Sequence, residues 1–363
     1  MAADPIAVTV LTGFLGAGKT TLLNRILKDP AVTNTAVIIN EFGDVAIDHL
    51  LVERSSDGVI ELSDGCVCCT VRGELVDTIA DLIERAQTGR IAQLERIVIE
   101  TTGLADPVPV LQSLMGHPVM VAMLRLAGVI TVVDAANGEA TLARHHEAAR
   151  QAAVADRIVL TKAELAGGGA AAGVKTAIRV LNPSAPVITL ADGDGGLAAL
   201  LDCGLYDPAT KSADVARWLG ETPHDHRPHE HGGHEHHHHD GIRSFSLVED
   251  RPVDLAAVEM FLDLVRSTQG ERLLRMKGIV QLAEEPDRPL VLHAVQNLMH
   301  PPARLPAWPA GQPRQTRLVF ITDGLDETYV RRLFAAFTDR PAVDTPDRAA
   351  VEHNPLAIRG FSG

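Results

Sequence analysis

The chain has few aromatic residues: Phe, Tyr and Trp make up 3% of its 363 positions. It has no stripe of basic residues interleaved with aromatics, and its formal net charge is −14. Phosphate neutralisation dominates nucleic-acid affinity, so this balance excludes a nucleic acid as the main partner. Long apolar runs are missing too. None reaches the roughly 18–20 residues that cross a bilayer, so no membrane partner is expected. The start, Met1-Ala2-Ala3-Asp4-Pro5, lacks the basic opening of a secretory signal, and a cytoplasmic location is expected. Cysteine is scarce, with four in all. Three of them are Cys66, Cys68 and Cys69, a clustering that excludes a disulfide framework and points to metal or redox chemistry.

What is present suffices for two domains. Apolar residues make up 46% of the chain, and its length lets each domain bury its own core. Up to about residue 205, apolar strand-like runs alternate with amphipathic stretches. The runs are Ala7–Thr12, Ala36–Asn40, Arg96–Glu100, Val129–Val133, Arg157–Thr161 and Val187–Leu190. Continuous Val/Ile strands separated by helices predict a doubly wound α/β domain over 1–220, with a mainly parallel sheet. Residues 221–241 read as a His-rich linker. Over 242–345, strands at Ser244–Val248, Leu274–Ala283, Leu290–Val295 and Thr316–Thr322 alternate with helices at Leu255–Arg266 and Glu327–Phe337, predicting a smaller α+β domain. His300–Gln315 reads as a Pro-rich loop and 346–363 as a weakly structured tail.

Gly13-Phe14-Leu15-Gly16-Ala17-Gly18-Lys19-Thr20 matches the phosphate-binding pattern G-x-x-x-x-G-K-[ST] in full. A strand precedes it and a helix-forming stretch, Thr21–Leu27, follows. Gly13, Gly16 and Gly18 allow the backbone N–H groups, including those of Ala17 and Thr21, to turn toward phosphate oxygens. Lys19 is expected at the β/γ-phosphates and Thr20 on Mg²⁺. Glu100, at the end of an apolar strand, is the acid expected to order Mg²⁺ or the attacking water. Gly103 follows, with an N–H that can face the γ-phosphate. Thr161-Lys162-Ala163-Glu164 stands where GTP-binding proteins carry N-K-x-D. A carboxylate at Glu164 accepts from guanine N1–H and the 2-amino group, which favours GTP over ATP.

Gly65-Cys66-Val67-Cys68-Cys69 places three sulfurs on a tight loop after Asp64. Thiolates suit Zn²⁺, and also copper(I) or Co²⁺. An incomplete ligand set suits a site that must give its metal up. Cys203 stands alone and reads as a core residue. His145 and His146 lie in the helical stretch Leu142–Ala155 and read as surface residues.

With these motifs in this order, the chain resembles the CobW-type family of P-loop GTPases, which includes zinc metallochaperones and proteins tied to cobalamin biosynthesis. The residues carrying the resemblance are Gly13–Thr20, Asn40-Glu41-Phe42-Gly43, Gly65–Cys69, Glu100–Gly103 and Thr161–Glu164. In the second domain they are Arg275-Met276-Lys277-Gly278 and Leu318–Ile321. The resemblance implies a switch segment over Asn40–Ile47, Glu41 as a further metal ligand, and a C-terminal domain that recognises the client or closes over the nucleotide domain. Glu164 departs from the usual Asp.

Nine of the 16 histidines, His224, His226, His229, His231, His234, His236, His237, His238 and His239, alternate with acids in the linker. They are expected to hold divalent ions weakly and labilely. Taken together, these residues predict a GTP-hydrolysing zinc metallochaperone that delivers metal to an apo-form client metalloprotein, with a nucleotide- or metal-dependent homodimer as a further expectation. The alternatives are a cobalt chaperone and a His-rich metal storage or sensor protein.

Overall fold

The computed structural model describes residues 5–40, 59–62, 71–167, 169–190, 196–201, 203, 241–300, 302–309 and 313–338. The first domain holds a seven-stranded, wholly parallel sheet in the order β3-β2-β4-β1-β5-β6-β7. Its strands are β1 (Ile6–Gly13), β2 (Thr35–Asn40), β3 (Val59–Leu62), β4 (Arg96–Thr101), β5 (Leu124–Asp134), β6 (Arg157–Thr161) and β7 (Val187–Thr189). Neighbouring side chains point to opposite faces. Val8, Val10, Ile97 and Ile99 therefore pack under α2 (Val71–Gln87), α3 (Val108–Gly116), α5 (Gly138–Arg144), α6 (His146–Val154) and α7 (Ala170–Leu181). On the other face, Leu11, Val98 and Val132 pack under α1 (Lys19–Leu27) and the turn Leu197–Leu201. Burial of both faces is why these strands read as unbroken apolar runs. A short helix, α4 (Pro118–Met123), leads into β5.

Three elements of the first domain differ from the sequence expectation, and in the second domain the short strands at Leu298–Met299 and, within the expected loop His300–Gln315, at Ala303–Arg304 were not expected. The strand β3 had no counterpart among the six expected. The strand β5 begins at Leu124 rather than Val129 because Gly128 is not a break: it holds φ +144°, and a Cβ there would stand 2.4 Å from the Cβ of Cys203. The expected helix Leu142–Ala155 is two helices. His145 leaves the helical conformation (φ −119°, ψ 111°) and stacks on Phe14 at 4.5 Å. His145 and His146 are exposed, as expected of surface residues.

The second domain is an antiparallel sheet ordered β11-β10-β9-β13-β8, with β12 added to β10. Its strands are β8 (Ile242–Glu249), β9 (Leu273–Val280), β10 (Leu290–Val295), β11 (Leu298–Met299), β12 (Ala303–Arg304) and β13 (Thr316–Asp323). The helices α8 (Leu255–Gln269) and α9 (Glu327–Phe337) cover one face, where Phe261 meets Phe320 and Phe334 edge-on. From the other face, Ile242, Leu274, Val295 and Ile321 join the core of the first domain. The strand β9 is therefore buried on both sides.

That burial takes two cations inside. The Arg275 guanidinium donates to the carbonyl of Val154 and pairs with Asp156, and Lys277 Nζ lies 3.2 Å from the same carboxylate oxygen. The other Asp156 oxygen accepts from Val129 N–H at 2.9 Å. His293 Nε2 sits 3.0 Å from the Arg275 guanidinium, so it must be the unprotonated nitrogen. Burial and that neighbouring cation hold His293 well below its ordinary pKa.

Cys203 borders this cluster as a buried core residue. Burial, followed by the Asp156 charge, pushes its thiol up to about 12. Because the thiolate is the nucleophile, Cys203 is expected to stay unmodified by a thiol reagent in the native protein and to react only on unfolding. Mass-spectrometric mapping of labelled sites checks this, and rapid native labelling at Cys203 would contradict it.

Candidate nucleotide site

Parallel register sets β1 beside β4, pairing Leu11 with Glu100, and β1 beside β5. The loop after β1 thus emerges where the strand order reverses, the usual ligand position in such sheets. Gly13 (φ +145°) starts this loop, and a Cβ there would lie 2.3 Å from the carbonyl oxygen of Val132. Gly16 and Gly18 also hold positive φ, at 72° and 94°. Gly18 caps α1 without any side-chain hydrogen bond, and the first turn carries no acid. The N-terminal N–H groups and their partial positive charge therefore face the loop, as an anion site requires.

Lys19 and Glu100 are both buried beneath this loop. Thr20 Oγ1 donates to Glu100 Oε1 at 2.8 Å, bringing together the hydroxyl and the acid expected from sequence. Two oxygen donors at this spacing suit a hard cation such as Mg²⁺. Thr101 Oγ1 donates to Thr12 Oγ1 at 2.8 Å, locking the ends of β4 and β1 together. Beyond β4, Gly103 packs directly on the loop: a Cβ there would stand 2.7 Å from the Leu15 nitrogen.

The segment expected to read the base also braces the phosphate loop. Thr161 Oγ1 donates to the carbonyl of Ala17 at 2.6 Å. Lys162, in the left-handed region (φ 56°), donates to the carbonyl of Gly16 at 2.6 Å and pairs with Asp134 at 2.9 Å. Burial would raise the Asp134 pKa, but hydrogen bonds from Lys162, Ala136 and Asn137 outweigh it and hold the carboxyl below its ordinary value. Glu164 lies exposed on a single turn, Ala163–Leu165. The sequence reading missed Asp134 and Gln151. Asp134 ends an apolar strand as Glu100 does, so the same strand-end signal was available. Glu41, Cys66, Cys68, Cys69 and the nine linker histidines lie outside the described residues. Among the described residues, no group of three or more His, Cys, Asp or Glu is placed to hold a metal, and no helix is long and apolar enough to cross a membrane.

Comparison with known families matches residues 7–189 to the CobW/HypB/UreG nucleotide-binding domain and 242–338 to the cobalamin synthesis protein cobW C-terminal domain. The chain belongs to the CobW family. Among CobW relatives, the zinc chaperone YjiA of Escherichia coli (strain K12) is 36% identical over 335 residues, covering 92% of this chain and 98% of that one. The zinc chaperone CobW of a Sinorhizobium species is 32% identical over 367 residues, covering 91% and 97%. The crystal structure of Zn(II)-bound YjiA GTPase from E. coli superposes with a TM-score of 0.69 at 31% identity, covering 92% of this chain and 99% of that one. As a CobW-family fold, the P-loop domain with its parallel sheet and the separate antiparallel domain match what the motifs predicted.

Proposed function

We propose that the chain is a GTP-hydrolysing metallochaperone that binds zinc at Cys66, Cys68 and Cys69, with Glu41, and passes it to an apo-form client metalloprotein. The Thr20–Glu100 contact beneath the phosphate loop carries the hydrolytic half of this reading. Relatives named zinc chaperones, at 36% and 32% identity, support the zinc half. GTP would lie with its β/γ-phosphates at Lys19 and the N–H groups from Gly13 to Thr21. Thr20 and Glu100 would hold Mg²⁺, which when bound neutralises charge on the phosphate oxygens. Glu100 and the Gly103 N–H orient the water whose oxygen attacks the γ-phosphorus. The bond to the β-phosphate oxygen breaks, giving GDP and phosphate.

Zinc is the cargo. Only a difference in affinity between nucleotide states can drive its release. Anaerobic zinc titration with a non-hydrolysable GTP analogue and with GDP tests this. Affinity is expected to differ by about fivefold or more between the two states, and Cys68→Ser is expected to lose the tightest ion. Equal affinities would remove the driving force. Deleting residues 223–240 is expected to leave one tight thiolate-bound ion, whereas loss of all bound metal with GTPase intact would favour storage by the histidines.

A further inference from the structure

The helix α6 joins the phosphate-loop side of the first domain to the second domain through two consecutive side chains. Gln151 is fully buried. Its Nε2 donates to two carbonyls of the loop after β4, Gly103 at 3.1 Å and Ala105 at 2.9 Å. Two acceptors facing one terminal atom fix that atom as the nitrogen, so the amide orientation is determined. Arg150 reaches the same loop. Its Nε lies 3.1 Å from Asp106 Oδ2, and a second guanidinium nitrogen lies 2.9 Å from that oxygen. Its remaining nitrogen donates to Asp323 Oδ2 at 2.8 Å, at the end of β13 in the second domain. One turn earlier, His146 meets the same Asp323 oxygen at 3.2 Å. Three residues after Gln151, the Val154 carbonyl accepts from Arg275 of β9.

The loop held in this way has little freedom. Asp106 caps the start of α3 through Val108 N–H at 3.0 Å, and Gly103 touches Leu15 of the phosphate loop with no room for a Cβ. A rigid-body shift of the second domain would pull on Arg150 through Asp323. The same guanidinium would move Asp106, while Gln151 keeps Gly103 in register with α6.

We infer that Gln151 and Arg150 are positioning residues for hydrolysis, and that Asp323 makes the set of the Gly103–Asp106 loop depend on the placement of the second domain. This rests on the GTPase reading above. A partner engaging the second domain thereby gains a route to the hydrolysis rate that bypasses the nucleotide itself. The coupling element is the α6 side-chain bridge, and neither end of it contacts the phosphate-loop glycines through hydrogen bonds.

Steady-state GTP hydrolysis by the full chain, with GDP affinity and thermal midpoint measured alongside, tests the inference. Gln151→Met keeps the side-chain volume but removes the donor. It is expected to lower kcat by about tenfold or more, because misplacing a group at the reacting centre costs rate rather than binding. GDP affinity and KM should stay within about twofold, since the phosphate-loop contacts are untouched. Arg150→Met and Asp323→Asn should each lower kcat, Arg150→Lys should recover part of it, and the double variant should be no worse than Arg150→Met alone. Asp323→Asn lies away from the core of the first domain and serves as the test should Gln151→Met fail to fold. Hydrolysis by the parent protein with unchanged kcat in Gln151→Met, or in Asp323→Asn if Gln151→Met does not fold, overturns the inference alone. Absence of hydrolysis in the parent overturns both it and the GTPase reading. Additive losses in the double variant overturn the link to the second domain.

Discussion

Replacing Arg275 by methionine is expected to destabilise the folded protein by about 3–5 kcal/mol, the usual consequence of stranding one partner of a buried ion pair. Asp156 is fully buried, and the variant leaves it with Lys277 as its only cation within ion-pair distance among the described residues. The Val154 carbonyl also loses its donor. Chemical denaturation followed by circular dichroism measures the change, and a shift below about 1 kcal/mol would show that water or relaxation rescues the site. The double variant Asp156→Leu with Arg275→Met should recover much of the loss, because well-packed apolar pairs often match or exceed buried ion pairs.

The same cluster sets a pH dependence of known sign. Burial alone would raise the Asp156 pKa, but the charges of Arg275 and Lys277 and the Arg275 hydrogen bond outweigh it. Its carboxyl therefore titrates well below the ordinary 3.8. The unfolded chain binds this proton more readily, so the contribution of Asp156 is present above pH 3.8 and is lost as pH falls below it. Lys277 works oppositely: burial lowers its pKa from 10.5 to about 8 despite the Asp156 charge. Between those values the folded form gives up its proton first, so the cost of burying this cation shrinks as pH rises through 8. The acid-side loss should be smaller in the Asp156→Leu, Arg275→Met variant.

Lys19→Ala is expected to lower kcat for GTP hydrolysis by about 10²–10³-fold or more, as loss of a charge aimed at the transition state does elsewhere. Lys19 directly precedes Thr20 in the motif and is 8% exposed, at the N-terminus of α1. Removing it leaves Thr20, Glu100 and the glycine turns in place, so the fold should persist. The zinc binding proposed above at Cys66, Cys68 and Cys69 should also persist in the absence of nucleotide. Phosphate-release kinetics and metal titration of the same preparation check both halves. Near-normal hydrolysis would remove Lys19 from the mechanism, and lost zinc binding would indicate that the two sites share structure rather than a switch.

The geometry of the phosphate loop was legible because such a turn demands fixed spacing. A loop that turns backbone N–H groups inward needs glycines where φ is positive, and Gly13, Gly16 and Gly18 all hold such values. The Thr20–Glu100 contact was foreseeable in kind, since an acid at a strand end beside a phosphate loop has few other uses. The double role of Lys162 was not. Its left-handed backbone and its two contacts, to Gly16 and Asp134, depend on where β5 and β6 end relative to β1. Gln151 was invisible for a similar reason: a glutamine in an alanine-rich helix carries no spacing signal, and the two carbonyls it holds lie 46 and 48 residues earlier in the chain.

By itself the sequence determined the strand and helix alternation, the phosphate loop, the acid at Glu100 and the presence of a second, smaller domain. Each of these depends on local periodicity or on residues close together in the chain. Tertiary structure alone decided how the domains meet. Arg275 and Lys277 lie in a segment whose sequence marks a family resemblance but carries no sign of burial. They become a buried interface only because β9 is covered by its own helices on one side and by α6 on the other. Burial of a charge depends on every element packed around it, and no local pattern encodes that sum.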